Sequence, residues 1–131
     1  MISLKQLIAV LIIALTMQSP GYAHHANSMF DQNIDMTLSG TVTKFEWTNP
    51  HVWIWFMADM PDGSQQEWAL ESGAPIQLRK AGFKWDSFKS GDKVTFELHP
   101  RRSGQPAGQF VRAIFADGRV LLTSDPAAQG K

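Results

Sequence analysis

Apolar and polar positions alternate most regularly between His51 and Met60, in the segment HVWIWFMADM. A period of two places successive side chains on opposite faces of a β-strand. One face of this strand carries Val52, Ile54, Phe56 and Ala58, and the other carries His51, Trp53, Trp55, Met57 and Asp59. Because both faces are apolar over the middle of the strand, we expect the second face either to be covered or to bind a partner.

Other segments of the chain also have the composition or the period of strands. They are residues 35–47, 66–71, 93–99 and 109–116, with a short edge strand over 120–122. Gly40 lies inside the first of these, where a glycine commonly marks a bulge or a tight barrel bend. The segment Pro61-Asp62-Gly63-Ser64 has the residues of a tight turn. It therefore predicts a hairpin between the strand over 51–60 and the strand over 66–71.

The pattern changes after the hairpin, between Ser72 and Gly82. Ser72 is a residue type that caps a helix, and Pro75 suits the first turn. Arg79 and Lys80 complement the carboxyl end of a helix dipole, and Gly82 is a typical stop. The sequence therefore predicts one short helix between the third and fourth strands.

Three strands, a short helix and two further strands are the element order of a small five-stranded Greek-key barrel of the OB type. The predicted fold class is therefore all-β with one short helix. A small antiparallel β-sandwich is the alternative, because the spatial order of strands is not encoded in their order along the chain.

The first 23 residues have the three parts of a secretory signal: Lys5, the apolar run Leu7–Met17 and a small-residue end at Ala23. The apolar run is shorter than the roughly twenty residues of a membrane-spanning helix, although an uncleaved anchor is the alternative. We expect cleavage after Ala23, a periplasmic location and no membrane span afterwards. Residues 24–122 then form a single barrel domain, and residues 123–131 form a flexible tail.

The composition excludes several classes of function. The chain has no cysteine, which excludes disulfides, thiolate metal sites and thiol nucleophiles. It has 12 basic and 12 acidic residues, and removal of Lys5 with the signal leaves eleven basic residues. This balance argues against nucleic acid as a partner, because phosphate binding needs a basic surface.

Three histidines are candidate metal ligands: His24, His25 and His51. Cleavage after Ala23 would give His24 a free amine beside its imidazole, and nitrogen ligands of this kind suit Cu(II). Successive side chains of an extended chain point in opposite directions, so we expect one of the first two histidines to join His51. Asp31 or Asp35 is then expected to orient a liganding imidazole. The alternative is that the histidines are incidental, since residues beside a cleavage site are often unstructured.

A second candidate site is aromatic. Trp53 and Trp55, with Trp68 on the neighbouring strand, are predicted to form a stacking platform for a small ligand or an envelope protein. The alternative is that these indoles close the core, as aromatic residues of small domains commonly do.

Enzyme motifs are weak. The chain has no Gly-x-Ser-x-Gly element, no glycine-rich phosphate loop and no His-Glu-x-x-His element. Glu67 and Glu71 share a strand face, but that spacing is commonplace. We therefore expect a periplasmic binding module rather than an enzyme, with a copper-dependent oxidative enzyme as a third, weaker alternative.

Several short motifs together resemble those of an exported bacterial family, domain-of-unknown-function family 6152. They are His24-His25, Phe30-Asp31, Gly40-Thr41-Val42, Trp47-Thr48-Asn49-Pro50-His51, Trp68-Ala69-Leu70-Glu71 and Gly91-Asp92-Lys93-Val94. The resemblance implies a small, exported, β-rich protein without an agreed activity. Members usually follow the histidine pair with Ser-Phe, whereas this chain has Ala26-Asn27 and so lacks that hydroxyl.

Overall fold

A computed structural model describes residues 29–123 of the chain. The strands are β1 (Met36–Glu46), β2 (Trp53–Asp59), β3 (Gln65–Glu71), β4 (Lys93–Pro100), β5 (Ala107–Phe115) and β6 (Val120–Leu122). A short helix, α1 (Pro75–Lys80), lies between β3 and β4. No helix within residues 29–123 is long and apolar enough to cross a membrane.

The strands form one sheet in the order β3-β2-β1-β4-β5-β6. A parallel pairing of β3 with β5, over Ala69–Glu71 and Ala107–Gln109, joins the two sides of this sheet. The circuit β1-β2-β3-β5-β4 is therefore closed, which is the topology of an OB-type barrel. The predicted five-stranded barrel is confirmed and the sandwich alternative is wrong. β6 adds the predicted short edge strand beside β5.

The alternation of β2 determines which of its faces lies inside the barrel. The predicted inner residues Val52, Ile54, Phe56 and Ala58 are all fully buried. Phe56 contacts Phe96 of β4, with ring centroids 4.5 Å apart, and Phe96 contacts Phe110 of β5 edge to face. Burial of one such ring is worth about 1.5–3 kcal/mol relative to exposure. The barrel is therefore held by phenylalanines contributed by several strands.

Gly40 lies where β1 bends against β2. A Cβ atom at this position would come within 2.1 Å of the carbonyl oxygen of Met57, so a larger residue does not fit. The β1–β2 register shifts between Val42 and Lys44, which marks a bulge shortly after the glycine. The bend and bulge curve β1 so that it pairs with both β2 and β4, as the interior glycine predicts.

The helix begins later than the sequence predicts. The N-cap is Ala74, whose backbone N–H donates to the side-chain oxygen of Gln77 at 3.2 Å. Ser72 is not the cap, because the β2–β3 ladder continues past Glu71: Ser72 N–H donates to Val52 O, and Val52 N–H donates to Gly73 O. Pro75 occupies the first turn, as predicted, and Leu78 faces the core.

Candidate functional site

His51 lies just before β2 and is held against the end of β3. Its Nδ1 atom contacts the carboxylate of Glu71, whose side chain is 13% exposed while that of His51 is 39% exposed. The contact is diagonal, since Glu71 lies directly opposite Trp53 in the β2–β3 register. A carboxylate accepts hydrogen bonds and does not donate them, so Nδ1 is the ring nitrogen that donates in this contact.

The carboxylate that contacts His51 is therefore Glu71 and neither Asp31 nor Asp35. That Asp31 or Asp35 orients His24 or His25 stays a prediction, since both histidines lie outside the described residues. Asp31 accepts from the backbone N–H of Asn33 at 3.1 Å and lies 3.6 Å from Arg102 Nη1. Asp35 is an exposed residue beside His99, with Oδ1 3.4 Å from Nδ1.

A signal for Glu71 was present in the sequence. The short turn after Met60 fixes the hairpin register, and that register makes Glu71 the diagonal neighbour of His51.

A cavity of about 470 Å³ opens beside this pair. Its lining includes Phe30, His51, Glu71, Ser72, Gly73, Gln77, Leu78, Gln109, Phe110 and Thr123. Glu71 is the carboxylate among these residues, and no Lys or Arg belongs to the lining that the structure describes. Ser72 is buried, and its hydroxyl has no hydrogen-bond partner among residues 29–123. The cavity wall is thus polar on one side and apolar at Phe30, Leu78 and Phe110. Because the one charged side chain of fixed sign in its described lining is the carboxylate of Glu71, it suits a neutral or cationic ligand.

The N-terminal part of the described chain is attached to the wall of this cavity. Phe30 pairs with Arg101 as an isolated β-bridge and is 3% exposed. Asp31 N–H donates to Pro100 O, and Arg102 N–H donates to Met29 O, both at 2.9 Å. These contacts fix Phe30 in the lining that also contains His51.

The predicted ligands His24 and His25 lie outside the described residues. Within residues 29–123, no group of three or more His, Asp or Glu side chains is arranged to hold a metal ion. The pair His51 and Glu71 is therefore one imidazole with its orienting carboxylate, and a metal centre here would need further ligands from outside this range.

Trp53 and Trp55 lie together on the outer face of β2. Their ring centroids are 5.8 Å apart with an interplanar angle of 29°. Lys44 of β1 lies over the Trp55 ring, with Nζ 4.9 Å from the centroid, and also pairs with Glu46. The two indoles are half-buried and form a narrow aromatic surface flanked by this ion pair.

Trp68 does not belong to that surface. It lies opposite Phe56 in the β2–β3 register and is 7% exposed, so it faces the core. The expectation of a three-tryptophan platform is wrong at this residue. Trp68 and Leu70 are two positions apart in a strand and therefore lie on the same face. Leu70 is apolar and buried, so this face is the inner one.

The fold and these contacts define a small OB-type barrel with a polar cavity beside an oriented histidine. The model of a family of unknown function (DUF6152) matches residues 11–110, and the chain belongs to this family.

A search of curated proteins finds no match. Among solved structures, the mitochondrial single-stranded DNA-binding protein from S. cerevisiae is similar at 11% sequence identity and a TM-score of 0.48. The alignment covers 66% of this chain and 94% of that chain.

Proposed function

We propose that the protein is an exported, periplasmic binding module that holds a transition-metal ion, Cu(II) in particular, at His51. The observation that carries the proposal is the orientation of His51: its Nδ1 contacts Glu71, and the residue lines a polar cavity. Liganding histidines almost always donate their other ring N–H to a carboxylate, a carbonyl or a water.

The remaining ligands come from His24 or His25 in this proposal. His24 precedes Met29 by five residues, a length that spans at most about 18 Å when fully extended. Met29 and Phe30 are attached beside the cavity, which supports the proposal that a ligand comes from the segment before them. Processing after Ala23 adds the amine of His24, and such nitrogen ligands favour Cu(II) over the other divalent first-row ions.

The first experiment measures the intact mass of protein purified from the periplasm, where we expect a chain that begins at His24. This protein is then titrated with Cu(II), with tryptophan fluorescence and electron paramagnetic resonance as readouts. We expect one bound ion with nitrogen ligands. His51→Ala should weaken binding by more than about a hundredfold, since even the loss of an orienting partner costs about 10- to 100-fold.

His99→Ala is the matched control, because it removes an imidazole that does not line the cavity. It should leave Cu(II) affinity unchanged. Equal affinity of the His51→Ala and His99→Ala proteins would contradict the proposal.

A second candidate function is small-ligand binding at the outer face of β2. It is favoured by the paired indoles of Trp53 and Trp55 and the cation of Lys44 beside them. Aromatic platforms of this kind stack on rings and sugars.

A panel of soluble oligosaccharides titrated by tryptophan fluorescence tests this candidate. Binding should be lost in Trp53→Ala and kept in Trp85→Ala, whose indole is 74% exposed elsewhere on the surface. Absence of binding across the panel, or equal binding by both variants, would count against it.

A further inference from the structure

The cavity beside His51 contains a buried hydroxyl without a partner. Ser72 lines the cavity and is 8% exposed, and its Oγ atom has no hydrogen-bond partner among residues 29–123. Ser87, the other buried serine of this range, differs in this respect, because its Oγ accepts from the backbone N–H of Lys84 at 2.7 Å. Buried polar groups of folded proteins are nearly always paired. The Ser72 hydroxyl therefore indicates a ligand that brings a polar atom to this part of the cavity.

Two amide side chains in the cavity lining offer hydrogen-bond donors. The side-chain oxygen of Gln77 accepts from the backbone N–H of Ala74 at 3.2 Å, and that of Gln109 accepts from Nε2 of Gln32 at 2.6 Å. Because each amide oxygen is already bonded, the N–H groups of the amide nitrogen are what each side chain can present to a ligand. These donors pair with oxygen acceptors on the ligand.

Glu71 supplies acceptors on the same cavity wall. One of its oxygens contacts Nδ1 of His51, and a carboxylate has lone pairs enough to accept from a ligand as well. Its negative charge disfavours an anionic ligand, and a ligand with N–H groups alone would leave the amide donors of Gln77 and Gln109 without acceptors. A hydroxyl group both donates and accepts. A neutral ligand with several hydroxyl groups therefore suits both kinds of side chain.

The size and the apolar part of the cavity narrow the class of ligand further. The volume of about 470 Å³ lies in the range of small-molecule sites, which is about 300–1,000 Å³. Phe30, Leu78 and Phe110 belong to the lining together with the polar residues. A pyranose sugar has hydroxyl groups along its edge and C–H groups on its face, so one ring presents both a polar and an apolar surface.

We infer that this cavity binds a neutral sugar, whose hydroxyl groups pair with Ser72, Glu71 and the two amides and whose C–H face packs on the apolar wall. Binding of the sugar needs no metal, so the inference goes beyond the proposed function and does not rest on it. The site is also distinct from the aromatic surface of Trp53 and Trp55, since neither indole belongs to the cavity lining that the structure describes.

The test is a titration of the purified, isotope-labelled protein, freed of metal with a chelator and followed by nuclear magnetic resonance. D-glucose and N-acetyl-D-glucosamine are the neutral probes. We expect shifted resonances for the Gly73 backbone and for the side-chain amides of Gln77 and Gln109, whereas the Asp62–Ser64 turn, which lines a separate pocket, should not shift. D-glucuronate adds a carboxylate to the glucose ring and should bind about tenfold more weakly or less, because Glu71 repels it.

Two serine variants separate binding from stability. Ser72→Ala should weaken sugar binding by about 3- to 10-fold, as the loss of one neutral hydrogen bond does, and should leave the urea midpoint of the sugar-free protein unchanged or higher. Ser87→Ala should lower that midpoint, because it removes the acceptor of Lys84 N–H, and should leave sugar affinity unchanged. Gln109→Glu keeps the oxygen that accepts from Gln32 but lacks the amide N–H groups, so it should also weaken binding.

Absence of cavity shifts with both neutral probes, or equal sugar affinity in Ser72→Ala and Ser87→Ala, would overturn the inference. A clearly lowered urea midpoint of sugar-free Ser72→Ala would do the same, because the hydroxyl would then have a partner within the protein. Sugar binding without Cu(II) binding would support the inference and contradict the metal proposal. Cu(II) binding without sugar binding would do the reverse.

Discussion

At the residue scale, Glu71 decides what His51 is able to do. Its carboxylate contacts Nδ1, and its place at the end of β3 fixes the imidazole on the cavity wall. Asp31 and Asp35, which are nearer in sequence to His24 and His25, contact Arg102 and His99 instead. The chemistry of the site therefore depends on one contact between the two strands of a hairpin.

Replacement of this carboxylate tests its role. Glu71→Gln should weaken Cu(II) binding by about 10- to 100-fold, because an amide orients the imidazole less strongly and adds no negative charge. The measurement is a competitive Cu(II) titration of the processed protein. Glu67 lies on the same strand and pairs with Met57. Glu67→Gln is therefore the matched control, and it should bind Cu(II) as tightly as the unchanged protein does. An equal loss in both variants would show a general charge effect and contradict an orienting role.

At the scale of elements, β1 determines whether the barrel closes. It pairs with β2 along its second half and with β4 along its first half, and the close approach at Gly40 lies where the two pairings overlap. The close contact of Gly40 with the Met57 backbone leaves no room for a side chain. Glycine is required at this position for steric reasons and not for its backbone freedom, because Gly40 does not have a positive φ.

Gly40→Ala should therefore destabilise the protein strongly. Overpacking typically costs about 1–3 kcal/mol, and we expect the upper end or more, because the atom that must move is backbone. Urea unfolding followed by tryptophan fluorescence gives the free energy of unfolding. Thr37→Ala, at an exposed position of the same strand, is the control and should change it by less than about 1 kcal/mol. A small effect of Gly40→Ala would contradict the steric account.

At the scale of the whole molecule, a cluster of phenylalanines connects strands that are distant in the chain. Phe56, Phe96 and Phe110 come from β2, β4 and β5, and Phe83 and Phe88 come from the loop before β4. Phe88 also stacks on Phe115, with centroids 5.2 Å apart. The core therefore includes the connection after α1, and Leu78 of α1 is buried in the same cluster.

The two faces of β2 should respond differently to truncation. Phe56→Ala removes a fully buried ring and should cost about 3–5 kcal/mol of unfolding free energy. Trp55→Ala removes a half-buried ring from the outer face and should cost clearly less. Thermal and urea unfolding of both variants check this difference. Similar losses would show that the outer indoles are structural and would weaken the case for a binding surface there.

The amino-acid sequence by itself determined the elements and most of their faces. The period of two in β2, the turn after Met60 and the proline at the first turn of α1 are local signals, and the structure agrees with each. The order of elements also predicted the OB-type barrel. The period, the turn and the first-turn proline each depend on residues within a few positions of one another, where steric preference and burial act directly.

Only the tertiary structure decided the closure of β3 on β5, the pairing of His51 with Glu71 and the cavity bounded by Phe30 and Ser72. The start of α1 was also decided there, because backbone hydrogen bonds to Val52 extend the β2–β3 ladder through Ser72. Each of these features joins residues from different elements. Their positions follow from register and strand order, which arise when the whole core packs, and a local pattern does not encode them.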